Sequence, residues 1–276
     1  MTLLPVKDAL TRILAHFHPL ENIKIPLKES VGRTLSEDIL AGIDLPLFNN
    51  SSMDGFALLA SDATQAGAKT PVILRVVDDI PAGKMPAKEI LPGQAARIMT
   101  GAPLPPGADT VVPVEETDFN ERSPGAALPK EVSIFKAPKP GANIRKRGDD
   151  VQRGKKILPR GQRLRAQDLG VLAMLGIAQV PVVRKPRLAL LSSGDEIIPV
   201  GQPLSDGKIY DVNSHTLSAL LNDAGCEMID LGVAEDTPES VRAALGKAKH
   251  ADLILSSAGV SMGAFDFIKD VLEKDG

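Results

Sequence analysis

Leu188 to Glu196 read LALLSSGDE, and this stretch decides the fold of the second half of the chain. Its apolar residues predict a buried strand, and the serines, glycine and two carboxylates that follow predict a polar turn. In a parallel sheet, ligands bind beyond the carboxyl ends of the strands, where such turns lead into helices. The stretch therefore predicts both a parallel α/β fold and the place of a site within it.

The sequence after Pro186 continues the same alternation of strand and helix. The successive segments are RLALL, NSHTLSALLNDAG, CEMIDLGV, TPESVRAALGKAK, DLILSS and FDFIKDVLEKD. This order predicts a parallel sheet with right-handed crossovers. Thr237 and Pro238 suit a helix start, and Gly225 suits a helix end. Three parallel strands make a thin sheet, so we expect either that something else covers its edge or that the chain is the N-terminal piece of a longer protein.

The N-terminal half predicts two further domains. Val6, Leu10, Ile13, Leu14 and Phe17 recur at helical spacing, so residues 5–17 should form an amphipathic helix that needs a partner surface. The predicted fold is multidomain, α/β plus β. It consists of a discontinuous elongated domain (1–45 and 140–183), an inserted β-rich domain (46–139) and a three-layer parallel α/β domain (184–276) truncated at its C-terminal side.

Composition excludes several classes of protein. The 43% hydrophobic and 24% charged fractions are those of an ordinary globular protein. A net charge of -3, one Tyr and no Trp argue against nucleic-acid binding. Cys226 is the single cysteine, and the four histidines lack zinc-site spacing, so we interpret them as structural or solvated. No signal peptide or membrane-spanning run is evident, and we expect a cytoplasmic protein with neither nucleic-acid nor membrane partners.

Three loops should lie at the carboxyl edge of the predicted sheet: Ser192 to Glu196, Gly232 to Asp236, and Ser256 to Asp266. The first and third combine small residues, hydroxyls and carboxylates, which suits a phosphate group held by backbone N–H groups beside a divalent cation. Taken alone, the first loop is more typical of a Ser turn that caps a helix, and the third is equally a common tight strand-to-helix turn. Two such loops at equivalent ends of one sheet favour a phosphate and metal site. The chain has neither a Walker sequence nor GxGxxG, so an ATPase or a nicotinamide enzyme is not supported.

Polar loops also occur in the first half of the chain. NNSSMDGFAL (49–58) places a run of polar residues before Asp54 and Gly55, although a hairpin would need only the latter pair. IMTGAPLPPGADTVVPVEE (98–116) carries Thr100 and Gly101 before a loop stiffened by proline. Residues 145–147 are all cationic and suit an anion, although such a loop is usually only solvated. Each of the first two could also be a structural turn.

On these residues the chain resembles the molybdopterin molybdenumtransferase family, the MoeA-type proteins related to the gephyrin E domain. The matching segments are NNSSMDGFAL, IMTGAPLPPGADTVVPVEE, GANIRKRGDD, SSGDEI, GKIYDVNSH and SSAGVSMGAFDF. The resemblance implies a homodimeric enzyme of molybdenum cofactor biosynthesis, which inserts molybdenum from molybdate into adenylylated molybdopterin and releases AMP. It also implies a requirement for Mg²⁺, an active site between the α/β domain of one subunit and the β-rich domain of the other, and a molybdopterin adenylyltransferase as upstream partner.

The same resemblance assigns roles to individual residues. It implies catalytic roles for Asp54, Thr100, Glu196, Asp236 and Asp266. It implies substrate binding by Ser52, Gly101, Arg145, Lys146, Arg147, Ser193, Gly194, Asp195, Asn213, Gly259, Ser261 and Gly263. Glu196 and Asp266 would be the magnesium ligands, because carboxylate oxygens suit a hard cation.

The chain departs from the family at two points, and two alternative functions stay open. Ala258 stands where the family usually has Gly, and the family continues well beyond Gly276, so we expect either an N-terminal fragment or a natural short form. A non-catalytic dimeric scaffold of the same family is one alternative, but it has no need of Asp54, Glu196 and Asp266 together. The related adenylyltransferase is the other, but it lacks the elongated and β-rich regions.

Overall fold

The computed structural model describes residues 4–119, 127–257 and 267–275. Its helices are α1 (Val6–Leu14), α2 (Ala166–Met174), α3 (Val212–Ala224), α4 (Pro238–Gly246) and α5 (Phe267–Asp275). Its strands are β1 (Asn22–Pro26), β2 (Ile39–Leu40), β3 (Asn50–Ser51), β4 (Gly55–Leu58), β5 (Val72–Ile80), β6 (Gln94–Ile98), β7 (Thr110–Pro113), β8 (Glu131–Ile134), β9 (Ile144–Arg145), β10 (Lys156–Leu158), β11 (Gln179–Val183), β12 (Arg187–Ser193), β13 (Ile197–Ile198), β14 (Ile209–Tyr210), β15 (Glu227–Ala234) and β16 (Leu253–Ser256).

The chain forms two compact units. The first contains residues 1–38 and 159–276, and the second contains residues 39–158. The predicted division into three domains, with boundaries near residues 45, 139 and 183, stays a prediction. None of the described helices is long and apolar enough to cross a membrane.

The first unit contains the parallel α/β sheet that the sequence predicts. Strand order is β15-β12-β16, and β12 pairs in parallel with both neighbours. Ala189 and Leu191 of β12 are fully buried in a cluster formed with α4 and α5. Gly225 ends α3 with φ 87°, a conformation that glycine adopts without strain. The stretch LALLSS is therefore the central strand of the sheet, and its polar end lies at the ligand-binding edge.

The rest of the first unit brings together two segments that are distant in sequence. Strand β1 pairs antiparallel with β11, so residues 22–26 lie against residues 179–183. Helix α1 has no buried residue, and Val6, Leu10, Ile13, Leu14 and Phe17 are all more than half exposed. Within the described part of the chain, the apolar face of α1 is thus left uncovered. Its amphipathic pattern is typical of a helix that needs a partner surface.

The second unit is a curled β-sheet with strand order β7-β4-β6-β5-β8. Its strands are antiparallel except for β5 and β6, which pair in parallel. The sheet curls back on itself because Thr117, just after β7, bridges to Ile134 of β8. Phe56, Leu58 and Ile134 are fully buried in one cluster of this sheet. The curl buries short strands that could not form a core as a flat sheet.

Gly55 is required where β4 passes β7. A Cβ atom at this position would lie 2.0 Å from the carbonyl oxygen of Val112. No side chain fits there, since that separation is far below van der Waals contact. The DG pair at residues 54 and 55 is therefore explained by close strand packing rather than by a hairpin turn.

A network of charged side chains links the α/β sheet to the β1–β11 pair within the first unit. The Arg184 guanidinium donates two hydrogen bonds to Asp252, at 2.6 and 2.7 Å, and one to Glu21 at 2.6 Å. The backbone N–H group of Arg187 also donates to Asp252, at 2.7 Å. The hydrogen bonds from Arg184, followed by the one from Arg187, lower the pKa of Asp252 to about 2. The bidentate geometry makes this pair stronger than a typical surface ion pair.

We expect Gly55→Ala to destabilise the second unit by about 2–4 kcal/mol, because the strand must move away from Val112. Gly42→Ala is the matched control in the same unit, since no heavy atom of the described residues lies within 4 Å of its Cβ position. That control should change stability by about 0.5 kcal/mol or less. Urea unfolding monitored by circular dichroism measures both, and equal stabilities would contradict the packing argument.

We expect Asp252→Asn to lower the free energy of unfolding by about 1–2 kcal/mol at pH 7, a value discounted for partial exposure of the pair. The folded-state pKa of about 2 lies below the ordinary value. The stabilisation is therefore present above about pH 4 and is lost as the pH falls to about 2. Denaturant unfolding from pH 7 to pH 2 should show the variant and the parent converging in acid. Asp206→Asn, in an exposed loop, should match the parent throughout; a gap that persists at pH 2 for Asp252→Asn would contradict this assignment.

Candidate active site

The polar end of β12 forms a tight turn over which a carboxylate folds back. Ser192 and Ser193 are buried, at 1% and 6% exposure, and Gly194 follows with φ 146°. A Cβ atom on Gly194 would lie 2.7 Å from Oε2 of Glu196. Glycine is favoured at this position by its positive φ, since the exposed Glu196 side chain could move away from a Cβ. The turn places the exposed carboxylate of Glu196 beside Gly194.

A reciprocal pair of hydrogen bonds joins this turn to the loop after β15. The backbone N–H group of Asp236 donates to Oδ1 of Asp195 at 3.1 Å, and that of Asp195 donates to Oδ2 of Asp236 at 3.4 Å. The Lys208 ammonium donates to the backbone carbonyl of Asp195. Two of the three predicted loops are thus in direct contact at the carboxyl edge of the sheet.

A cleft of about 670 Å³ opens beside the turn, a volume in the range typical of small-molecule sites. Its polar lining includes the carboxylates of Asp195, Asp211, Asp230 and Glu235, the ammonium of Lys208 and the imidazole of His215. His215, interpreted from sequence as structural or solvated, thus lines the cleft. Of these lining side chains, only Asp195 belongs to the set that the resemblance singles out.

Asp211 is a buried member of this lining that sequence reasoning missed. It is 6% exposed, and its side chain accepts a hydrogen bond from the backbone N–H group of Ser214 at 3.0 Å, which caps α3. Burial is the largest influence on the pKa of Asp211 and raises it. Hydrogen bonds from Ser214 and Ser192 and the charge of His215 outweigh burial, and the pKa is lowered overall. A carboxylate just before a helix pattern is the only sequence signal, and it indicates a cap.

The remaining predicted residues of this domain fall into two groups. Asn213 is exposed in the first turn of α3. Gly259, Ser261, Gly263 and Asp266 lie outside the described residues, as does Ala258. Among the described residues, no group of three or more His, Cys, Asp or Glu side chains is arranged to hold a metal ion. Of the two predicted magnesium ligands, only Glu196 can be placed.

The second unit brings its own predicted residues together. The hydroxyl and the backbone N–H group of Thr100 both donate to Oδ1 of Asp54, at 2.8 and 2.7 Å. The backbone N–H group of Gly101 donates to the carbonyl of Ser51 at 2.8 Å, and that of Ser52 donates to the carbonyl of Asn143 at 3.0 Å. Three segments separate in sequence therefore form one polar surface in this unit.

The basic segment is already engaged by carboxylates. Arg145 pairs with Asp150, and Nε of Arg147 donates to Asp44 at 2.7 Å. The hydrogen bond from the backbone of Arg153, and next that from Arg147, lower the pKa of Asp44. The Lys146 ammonium makes no ion pair with any of the described residues. Much of the positive charge that suggested an anion site is thus neutralised locally.

Comparison with known proteins gives the same relatives along the whole chain. Residues 4–176 match the model of the MoeA N-terminal region (domain I and II), and residues 189–276 match a probable molybdopterin binding domain. Molybdopterin molybdenumtransferase 2 of Mycobacterium tuberculosis is 41% identical over 249 residues, which cover 90% of this chain and 60% of the relative. Molybdopterin molybdenumtransferase of Bacillus subtilis is 38% identical over 277 residues, which cover 100% of this chain and 63% of the relative.

Solved structures agree with these sequence relatives. Two structures of the molybdopterin biosynthesis MoeA protein from Pyrococcus horikoshii align with TM-scores of 0.82 and 0.81, each at 34% identity. They cover 99% and 92% of this chain, and the matches cover 66% of each solved chain. This chain therefore spans about three fifths of the length of the curated relatives named above. With a family model matched over more than half of its residues, the chain belongs to the MoeA family, whose curated members named here are molybdopterin molybdenumtransferases.

Proposed function

We propose that the protein inserts molybdenum from molybdate into adenylylated molybdopterin and releases AMP, as an enzyme of molybdenum cofactor biosynthesis. The observation that carries this proposal is the turn at Gly194, which holds Glu196 over the edge of the parallel sheet beside a cleft of small-molecule size. Membership of the MoeA family supplies the substrate class. The buried serines and exposed carboxylates supply the groups that such a reaction needs.

The reaction divides between residues of the two units. AMP release breaks a phosphoanhydride bond, so negative charge develops on the departing phosphate and must be stabilised. In the second unit, Asp54 orients the Thr100 hydroxyl by accepting a hydrogen bond from it. That pair would orient a water molecule, whose oxygen bonds to phosphorus as the phosphoanhydride bond breaks and AMP leaves. Molybdate is an oxyanion, so backbone N–H groups, hydroxyls and the Lys146 ammonium would bind it.

Magnesium would be held by Glu196 and Asp266. The fit rests on donor chemistry, because the exposed carboxylate of Glu196 offers the hard oxygen ligands that Mg²⁺ prefers. When bound, the ion would neutralise charge on the pyrophosphate group. Glu196 would place its carboxylate at the end of β12, where it would bind the ion, and the turn at Gly194 allows this position.

A homodimer would bring the two sets of residues into one site. The uncovered apolar face of α1 supports self-association, since four large apolar side chains there, and Phe17 just beyond its end, are more than half exposed. In this arrangement Asp54 and Thr100 of one subunit would complete the site at Glu196 of the other. An upstream adenylyltransferase would supply the adenylylated substrate.

We expect Glu196→Gln and Asp266→Asn to lower the rate of AMP release by on the order of 100-fold or more, because each removes a proposed metal ligand. Chromatographic measurement of AMP, with molybdate and adenylylated molybdopterin supplied, tests this. Glu131→Gln, an exposed carboxylate of β8, is the matched control and should retain the parent rate. A parent chain that releases no AMP would overturn the proposal for this chain and favour the scaffold alternative. Unchanged rates in both variants would refute the assignment of these residues.

A further inference from the structure

Asn143 is the only residue other than glycine with a positive φ, 57°, among those that the structure describes. This left-handed backbone is strained for residues with a Cβ atom, although asparagine tolerates it better than most. Nδ2 of Asn143 donates to the backbone carbonyl of Val111 at 2.8 Å. The backbone N–H group of Val111 donates in return to the carbonyl of Ala142 at 3.0 Å. Val111 is fully buried in β7, so the strained residue is anchored to a rigid strand of the second unit.

The left-handed conformation directs the Asn143 carbonyl to the turn that carries Asp54. The backbone N–H group of Ser52 donates to this carbonyl at 3.0 Å. Directly after Asn143 the chain enters β9, which pairs antiparallel with β3. The direction of a carbonyl follows from the backbone dihedral angles, so an extended or helical residue 143 would point its carbonyl elsewhere. One backbone conformation therefore sets both the acceptor for Ser52 and the start of β9.

The turn that leads from Ser51 to Asp54 is held from two sides. On one side, the backbone N–H group of Gly101 donates to the carbonyl of Ser51 at 2.8 Å. The hydroxyl and backbone N–H group of Thr100 donate to Oδ1 of Asp54 on that same side. On the other side, the carbonyl of Asn143 accepts from the turn. Two segments that are distant in sequence therefore position the Asp54 carboxylate, and Asn143 supplies the contact from one of them.

The need for a left-handed residue does not by itself account for an asparagine at this position. Every other described residue with a positive φ is a glycine, which adopts this conformation without strain. A glycine at position 143 would permit the same path but leave it free to relax. The side-chain bond of Asn143 to Val111 holds the path in place. Such rigidity is useful where the turn must keep a functional group in a fixed position, and Asp54 is that group.

We propose that Asn143 is a positioning residue for the reaction, which holds the Asp54–Thr100 pair in place through the backbone of Ser52. This inference rests on the proposed function, in which that pair orients the attacking water. Asn143 itself touches neither the substrate nor the water. Displacement of the pair lowers the rate of the chemical step, because that step depends on accurate orientation. The cleft that would bind the adenylylated substrate lies in the first unit and keeps its own residues.

Asn143→Ala and Asn143→Gly separate the backbone conformation from the side-chain bond. Alanine lacks the bond and is strained at positive φ, so kcat for AMP release should fall about tenfold or more, with KM for adenylylated molybdopterin within about twofold of the parent value. Glycine lacks the bond but adopts the conformation freely, so kcat should stay within about threefold of the parent value. Hydrogen exchange of the Ser52 amide should be about tenfold faster in Asn143→Ala than in the parent.

Gly93→Ala is the matched control in the same unit. Gly93 has φ 78°, and no heavy atom of the described residues lies within 4 Å of its Cβ position, so alanine there adds left-handed strain without a clash. The backbone N–H group of Gly93 donates to Asp62, and its carbonyl accepts from Arg75. Both alanine variants should lose stability in urea unfolding. Only Asn143→Ala should lower kcat and expose the Ser52 amide to exchange.

The outcomes separate the two proposals. Equal kcat values for Asn143→Ala and Gly93→Ala would overturn the positioning role while the proposed function stands, and so would a kcat for Asn143→Gly as low as that of Asn143→Ala. If Asn143→Ala does not fold, Asn143→Asp replaces it, because aspartate tolerates the conformation but cannot donate to Val111. A parent kcat in Asn143→Asp would then overturn the role. A parent chain that releases no AMP would overturn the proposed function, and this inference with it.

Discussion

The left-handed turn at Gly194 ends the central strand β12, and the polar edge of the α/β sheet depends on it. Residue 194 holds φ 146°, which glycine adopts without strain, and the exposed carboxylate of Glu196 lies beside the turn. That turn in turn needs a rigid strand beneath it, which β12 provides by pairing on both sides and burying nearly its whole length. The backbone that carries Glu196 is therefore positioned by the strand, while its carboxylate is exposed to solvent.

The electrostatics of the cleft bear on the proposed chemistry. Four carboxylates and one ammonium, that of Lys208, line it, while adenylylated molybdopterin and molybdate are both anionic. Such a lining repels an unaccompanied anion, since like charges in a partly desolvated cleft interact strongly. A divalent cation that accompanies the substrate would reverse this balance. The negative cleft is thus consistent with a magnesium-dependent reaction and inconsistent with recognition by positive charge alone.

Much of this structure could be predicted from the sequence because the strong signals are local. The apolar run of LALLSSGDE and the alternation of strands and helices after it predict the parallel sheet. Thr237 and Gly225 mark helix ends that the structure confirms. The parallel pairing of β5 with β6 could not be predicted, because the period of a strand does not carry the direction of its neighbour. The place of Asp211 in the cleft could not be predicted for a related reason, since Asp230 and Glu235 line the same cleft with it only in the folded chain. The ion pairs of Arg145 and Arg147 show the converse: sequence shows the charge, but not the carboxylate that neutralises it.

The central claim is that the turn at Gly194 forms half of a site, which the loop carrying Asp54 completes from a second subunit. Co-expression of Glu196→Gln with Asp54→Asn tests it most directly, because a mixed dimer then contains one site with both residues intact. Random pairing should restore AMP release to roughly a quarter of the parent rate, while each variant alone stays inactive. Activity of the mixture no higher than that of the separate variants would contradict the shared site and place both residues within one subunit.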